Sequence, residues 1–248
     1  MSAPGRRLRV AQAGAVEPAC PLGVCDGSGW ILGPENVARP CECRESRMAR
    51  RRAHGVASAI PPRYRGVSFD RPPISDMARD PSQTPVVEAV RHFAEHLDER
   101  LAEGRGLWLM GDVGTGKTTL AMLVSKAAVE AGRTVAVYSL PRLLARIRRT
   151  YDAEAGEDSY LQFFERLTSV ELLHVDDLGA EKRSDWVLEQ LYAIVDERYQ
   201  AQRSMVVTTN LDQPELEQQI GPRTVSRLVE ICGDPLPLFG EDLRYRPG

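Results

Sequence analysis

Residues 106–119 read Gly106-Leu-Trp-Leu-Met110-Gly111-Asp112-Val113-Gly114-Thr115-Gly116-Lys117-Thr118-Thr119. The apolar run 106–110 has the length of a buried strand, and Gly111–Thr118 satisfies GxxxxGK[ST] at every fixed position before the helical stretch LAMLVSKAAVEA begins. Glycines in such a turn let successive backbone N–H groups point inward at phosphate oxygens, and the following helix adds the positive end of its dipole. Lys117 is expected to reach the β- and γ-phosphates, and the Thr118 hydroxyl to ligate Mg²⁺. The chain has three lysines against twenty-nine arginines, so a lysine at this motif position is less easily a coincidence.

Outward from this loop the pattern repeats. Strands are expected at 134–140, 170–176 and 204–210, with helices at 86–97, 117–131, 141–151, 160–168 and 185–201. Strands alternating with helices imply an α/β fold with a parallel sheet covered on both faces. In such sheets ligands gather at the carboxyl ends of the strands. There the sequence places Asp176 and Asp177, then Thr208, Thr209 and Asn210. Asp176 is suited to hold Mg²⁺ and Asp177 to polarise an attacking water. Asn210 reads equally as a turn residue or as an amide orienting that water. His174 shares the strand face of Asp176, and a lone histidine in a buried strand reads as a core residue before a catalytic one.

Residues 61–85 carry six prolines and read as a linker, which divides the chain into a head, 1–60, and a main domain, 86–248. The head holds nine arginines against five acids, a net +4, which leaves −7 for the rest of a chain of net charge −3. A uniformly basic nucleic-acid binder is excluded on that balance. With 42% hydrophobic and 27% charged residues, wholesale disorder is excluded as well. No apolar stretch approaches the roughly 18 residues that span a bilayer, so no membrane association and a cytoplasmic location are expected. In a reducing compartment the cluster Cys20, Cys25, Cys41 and Cys43 reads as metal ligands, with Cys232 alone. Four thiolates suit tetrahedral Zn²⁺, although gaps of four residues and one residue within the pairs are unusual and leave an iron–sulfur cluster or unligated thiols open. Two basic runs, Arg47 with Arg50–Arg52, and Arg142, Arg146, Arg148 and Arg149, read either as solvated faces or as phosphate contacts.

The series GDVGTGKTTLA, LLHVDDLGAEKRSDWVLEQLYAIVDERY, VVTTN and PRTVSRLVE resembles the AAA+ ATPases of the DnaC, DnaI and IstB group, bacterial and phage helicase loaders and transposition helpers. The likeness runs over residues 60–248, with DDLGAE and the helix ending in ERY its most specific part. It implies ATP hydrolysis with Asn210 as sensor, and makes Arg223 and Arg227 arginines that touch the nucleotide of a neighbouring subunit, Arg227 the likelier finger. With 21 residues after Arg227, no helical lid is expected, nor the arginine a lid contributes. The cysteine head is similar to the zinc-binding modules of DnaI-like loaders, which are implied to contact the helicase. The resemblance further implies a replicative, DnaB-type helicase as partner, single-stranded DNA at the second basic run, and a homo-oligomer on the helicase. Two departures stand out. His174 replaces an aliphatic residue, and Asp177 replaces the usual Glu, whose longer reach suits faster hydrolysis. A DNA-remodelling helper of a transposase is the runner-up. A small-molecule phosphotransferase is disfavoured by the paired acids and by RTVSR.

Overall fold

A computed structural model describes residues 20, 22–33, 37–44, 60–151 and 160–243. They fall into two compact units, residues 1–48 and 49–248. The described part of the first is a short antiparallel hairpin, β1 (Trp30–Leu32) and β2 (Ala38–Pro40), with Trp30 opposite Pro40 and Leu32 opposite Ala38. Closing the hairpin carries Cys41 and Cys43 back beside Cys20 and Cys25, and the Cys41 amide bonds the Gly29 carbonyl at 2.9 Å.

The second unit is a five-stranded parallel sheet of order β4-β5-β6-β3-β7, with β3 (Leu107–Gly111), β4 (Val135–Ser139), β5 (Leu172–Asp176), β6 (Ser204–Thr209) and β7 (Leu236–Leu238). Its helices are α1 (Ile74–Met77), α2 (Thr84–Glu95), α3 (Leu97–Ala102), α4 (Lys117–Glu130), α5 (Leu140–Arg149), α6 (Tyr160–Ser169), α7 (Asp185–Gln200), α8 (Gln213–Ile220) and α9 (Pro222–Cys232). Side chains alternate across the sheet with period two. Leu107, Leu109, Leu172 and Val206 join a core with α2 and α4, while Trp108, Leu173, Met205 and Val207 join one with α5 to α9. Both faces are therefore covered, as the unbroken apolar strands require.

Each strand and helix expected from periodicity is present, with ends shifted by a few residues. The division of the chain is different. Residues 61–85 are not a linker: Ile74 and Met77 are buried in the α2–α4 core, and Tyr64, with Ile60 just before the stretch, packs on Met122 of α4. Lys126 also donates to the Val67 carbonyl at 2.9 Å. Prolines here punctuate short turns while the apolar residues between them bury against α4, so proline content alone misplaced the boundary. The run Arg47 with Arg50–Arg52 lies outside the described residues. Among those described, no helix is long and apolar enough to cross a membrane.

Candidate functional site

The loop between β3 and α4 folds on itself. Thr115 is fully buried and donates to the Asp112 carbonyl at 2.9 Å. Gly114 and Gly116 have φ of 81° and 98°, where side-chain-bearing residues are strained. A Cβ on Gly114 would also lie 2.0 Å from the Asp242 carboxylate, which would have to move aside. Lys117, buried, donates from Nζ to the carbonyls of Gly111, at 2.8 Å, and Asp112. These bonds hold the ammonium at the mouth of the loop. The outer side is braced by residues 238–243: the Gly240 amide donates to Asp112 Oδ2 at 3.1 Å and the Leu243 amide to the Gly114 carbonyl at 3.0 Å.

At the tip of β5, Asp176 Oδ1 accepts from Thr118 Oγ1 at 2.8 Å and from Thr208 Oγ1 at 2.7 Å. This joins three elements, because β5 and β6 are neighbours and α4 starts beside them. Hydroxyl and carboxylate at hydrogen-bond distance form a pair that can hold Mg²⁺ between them or through water. Asp177 follows in a left-handed conformation, φ 58°, its amide donating to Thr208 Oγ1 at 3.0 Å. A non-glycine residue there is strained, and Asp177 lines the cavity beside Asp176. Burial and the neighbouring Asp176 raise its pKa, against the opposing pull of Lys117 and Arg63. A carboxylate so perturbed takes a proton more readily than a solvated one.

These residues line one cavity of about 750 Å³, within the range of small-molecule sites. Of the loop, Val113, Gly114, Gly116, Lys117, Thr118 and Thr119 line it, together with Asp176, Asp177 and Asn210. Sequence reasoning missed Arg63, Tyr64, Pro72, Pro73, Ala180 and Leu243, which complete the wall. The one available signal was apolar residues among the prolines of 60–85.

His174 is a core residue, fully buried, with Nδ1 2.9 Å from Ser125 Oγ of α4. Burial lowers its pKa to about 4, so it is neutral at physiological pH. Arg223 and Arg227 lie outside the cavity on α9. Arg223 is exposed. Arg227 bonds Asp196 at 3.2 Å and Glu230 at 2.9 Å, and stacks 4.0 Å over the Tyr199 ring. Arg142, Arg146, Arg148 and Arg149 also lie outside it, on α5, whose opposite face is buried through Leu143, Leu144 and Ile147. Two of them stack on aromatic rings, Arg148 on Trp186 at 4.7 Å and Arg146 on Phe163 at 5.8 Å.

In the head, the four sulfurs of Cys20, Cys25, Cys41 and Cys43 lie within 4.8 Å of one another. Cys20 and Cys41 are 3.9 Å apart, Cys25 and Cys43 3.5 Å. Tetrahedral zinc–thiolate bonds place sulfurs ~3.8 Å apart. Backbone N–H groups of Cys25, Val24 and Leu22 lower the Cys20 pKa to about 6 against the effect of burial, while burial and the neighbouring thiols push Cys43 upward. The donor set fits Zn²⁺. Cys232 stands apart, its thiol 3.6 Å from the Met205 carbonyl.

The description "IstB-like ATP binding protein" belongs to a family whose model matches residues 100–229. Among curated proteins, the replicative helicase loader DnaC of Buchnera aphidicola subsp. Schizaphis graminum is 26% identical over 148 residues, 59% of this chain and 58% of that one. DnaC of Buchnera aphidicola subsp. Acyrthosiphon pisum is 27% identical over 173 residues, 69% and 66%. The matched region thus spans less than two thirds of either relative's length. A crystal structure of the DnaC helicase loader superimposes with a TM-score of 0.61 at 28% identity, covering 72% of this chain and 99% of that one. With the phosphate loop, the Thr118–Asp176 pair and the parallel sheet all in place, the chain belongs to the IstB-like ATP binding protein family and has the AAA+ fold of the DnaC-type loaders.

Proposed function

We propose that the protein is an ATP-dependent loader of a replicative, DnaB-type helicase onto single-stranded DNA, with ATP hydrolysis as its switch. The observation that carries the reading is the similarity to DnaC, which extends over nearly the whole of that loader's solved chain. In this reading Lys117 and the loop amides bind the β- and γ-phosphates, and Thr118 and Asp176 hold Mg²⁺. Asp177 takes the proton of the attacking water while Asn210 orients it. Arg227, and secondarily Arg223, act on a neighbour's nucleotide, which ties hydrolysis to a homo-oligomer assembled on the helicase. The solvent face of α5, with Arg142, Arg146, Arg148 and Arg149, meets the DNA backbone, where cationic side chains release condensed counterions. The test is a pull-down of the full-length protein from its host with Mg-ATP present, its partners identified by mass spectrometry. Recovery of the hexameric replicative helicase is the expected result. Recovery of a transposase without it would replace the reading with the helper role.

The head completes the proposal as a zinc module that contacts the helicase. The described part of this unit has a core of little beyond its cysteines and Ile31, so metal ligation supplies folding energy that apolar burial cannot. One Zn²⁺ per chain is expected by elemental analysis. The double variant Cys41→Ser, Cys43→Ser is expected to lose it, and Cys232→Ser to keep it. Stoichiometric zinc in the double variant would contradict the four-thiolate site.

A further inference from the structure

We infer that Arg63 is a γ-phosphate-reading cation of this site, supplied by the chain itself and held in place by Tyr64. The inference rests on the nucleotide reading above. Four charged side chains line the cavity, the acids Asp176 and Asp177 and the bases Lys117 and Arg63. Without Arg63 the wall would hold two carboxylates against one lysine, a net negative lining facing an anionic ligand. A magnesium triphosphate still carries about two negative charges, and like charges in a part-buried cavity repel strongly. With Arg63 the lining is neutral before Mg²⁺ enters.

The wall is part apolar and part charged. Pro72, Pro73, Val113 and Leu243 are among its apolar residues, and Met77 and Leu243 close on Gly116. Such apolar lining suits a base. Arg63 lies toward the acids: the adjacent Tyr64 is buried in a cluster with Met122 of α4, one helical turn beyond Thr118, whose hydroxyl bonds Asp176. Val137 of β4, the strand next to β5, packs against the same cluster. Arg63 lies on that ring, Cζ 4.4 Å from its centroid, and its Nη2 donates to the Tyr64 hydroxyl. Stacking with a hydrogen bond fixes the planar fork of an otherwise exposed side chain, so little rotamer freedom remains to be lost on binding. A guanidinium so held presents its remaining donors to the end of the cavity where the terminal phosphate lies when Lys117, Thr118 and Asp176 hold the rest.

The test compares a magnesium complex of a non-hydrolysable ATP analogue with Mg-ADP, by calorimetry on the full chain. Arg63→Ala is expected to weaken the analogue by roughly 10- to 100-fold, the worth of a charge-assisted hydrogen bond, with ADP affinity changed by less than about twofold. Arg63→Lys should recover part of the loss, and Tyr64→Phe, which keeps the ring and removes the hydroxyl, should weaken the analogue less than Arg63→Ala does. Equal losses for both nucleotides, or no loss for either, would overturn the assignment and make Arg63 a brace for residues 60–85. If the wild-type chain binds neither nucleotide, the nucleotide reading itself fails, an outcome distinct from a variant that does not discriminate.

Discussion

Replacing Arg227 with alanine is expected to lower ATP turnover by roughly 10³-fold or more, the cost of a lost arginine finger, while leaving nucleotide affinity of the single chain nearly unchanged. Affinity is spared because Arg227 lies outside the cavity. In the free chain its guanidinium is shared between Asp196 and Glu230 and rests on Tyr199. Reaching a neighbour's γ-phosphate therefore means exchanging those part-exposed contacts, which are weak in water, for a fully ionic one. A mixing experiment checks the geometry. Arg227→Ala chains keep an intact cavity and Lys117→Ala chains keep an intact finger, so co-assembly on helicase or single-stranded DNA should restore part of the activity that neither has alone. Absence of recovery in proven mixed assemblies, or full turnover by dilute Arg227→Ala monomers, would make the residue a tie between α9 and α7.

The second large effect concerns stability. Arg198, the arginine of ERY, is wholly buried, and its two terminal nitrogens donate to the carbonyls of Leu167, Thr168, Val170, Glu171 and Ser204 at 2.5–3.4 Å. Those carbonyls close the end of α6 and the entries to β5 and β6, so one side chain satisfies the turn that feeds the acid strand and the sensor strand. Burial depresses its pKa to about 9, which leaves it charged at neutral pH. Arg198→Met keeps much of the volume and orphans the carbonyls. With about 1–3 kcal/mol for each unsatisfied buried group and partial relaxation, a loss of about 3 kcal/mol or more is expected. In thermal unfolding followed by helical circular dichroism this is a drop of roughly 6–12 °C. Arg198→Lys, with a single ammonium, should fall between. A shift under about 2 °C would mean that water replaces the guanidinium at those carbonyls.

The strands and the phosphate loop were legible because period-two burial and a glycine–lysine motif are local features. Asp176 and Asp177 were legible as the end of a buried strand. What escaped was set by packing at a distance. Residues 61–85 read as a linker by their prolines, yet Ile74 and Met77 are as buried as any strand residue, and Arg63 and Tyr64 enter the cavity because Ile60 and Tyr64 find Met122 on α4. β7 is three residues with a central proline, and it pairs with β3 at the sheet edge, where a missing amide is tolerated. The partners of Arg227 divide the same way: Glu230 is one helical turn away and readable, whereas Asp196 and Tyr199 come from another helix.

The brace on the outer side of the phosphate loop has a consequence for local unfolding. β7 holds the sheet through Leu236–Leu238, and the next five residues return to the loop through the Gly240 and Leu243 amides. A short edge strand opens at a fraction of the global unfolding free energy, so these amides should exchange with solvent deuterium together and early, along with Asp112, whose amide bonds the Leu238 carbonyl at 3.1 Å. Nucleotide bound to the closed loop opposes that opening, and at a ligand concentration 100 times Kd the shared exchange rate should fall by up to about 100-fold. Unequal slowing of Asp112 and Leu243 would show that loop and edge open separately. Common slowing would make the edge strand a clamp whose fraying sets how fast nucleotide can leave.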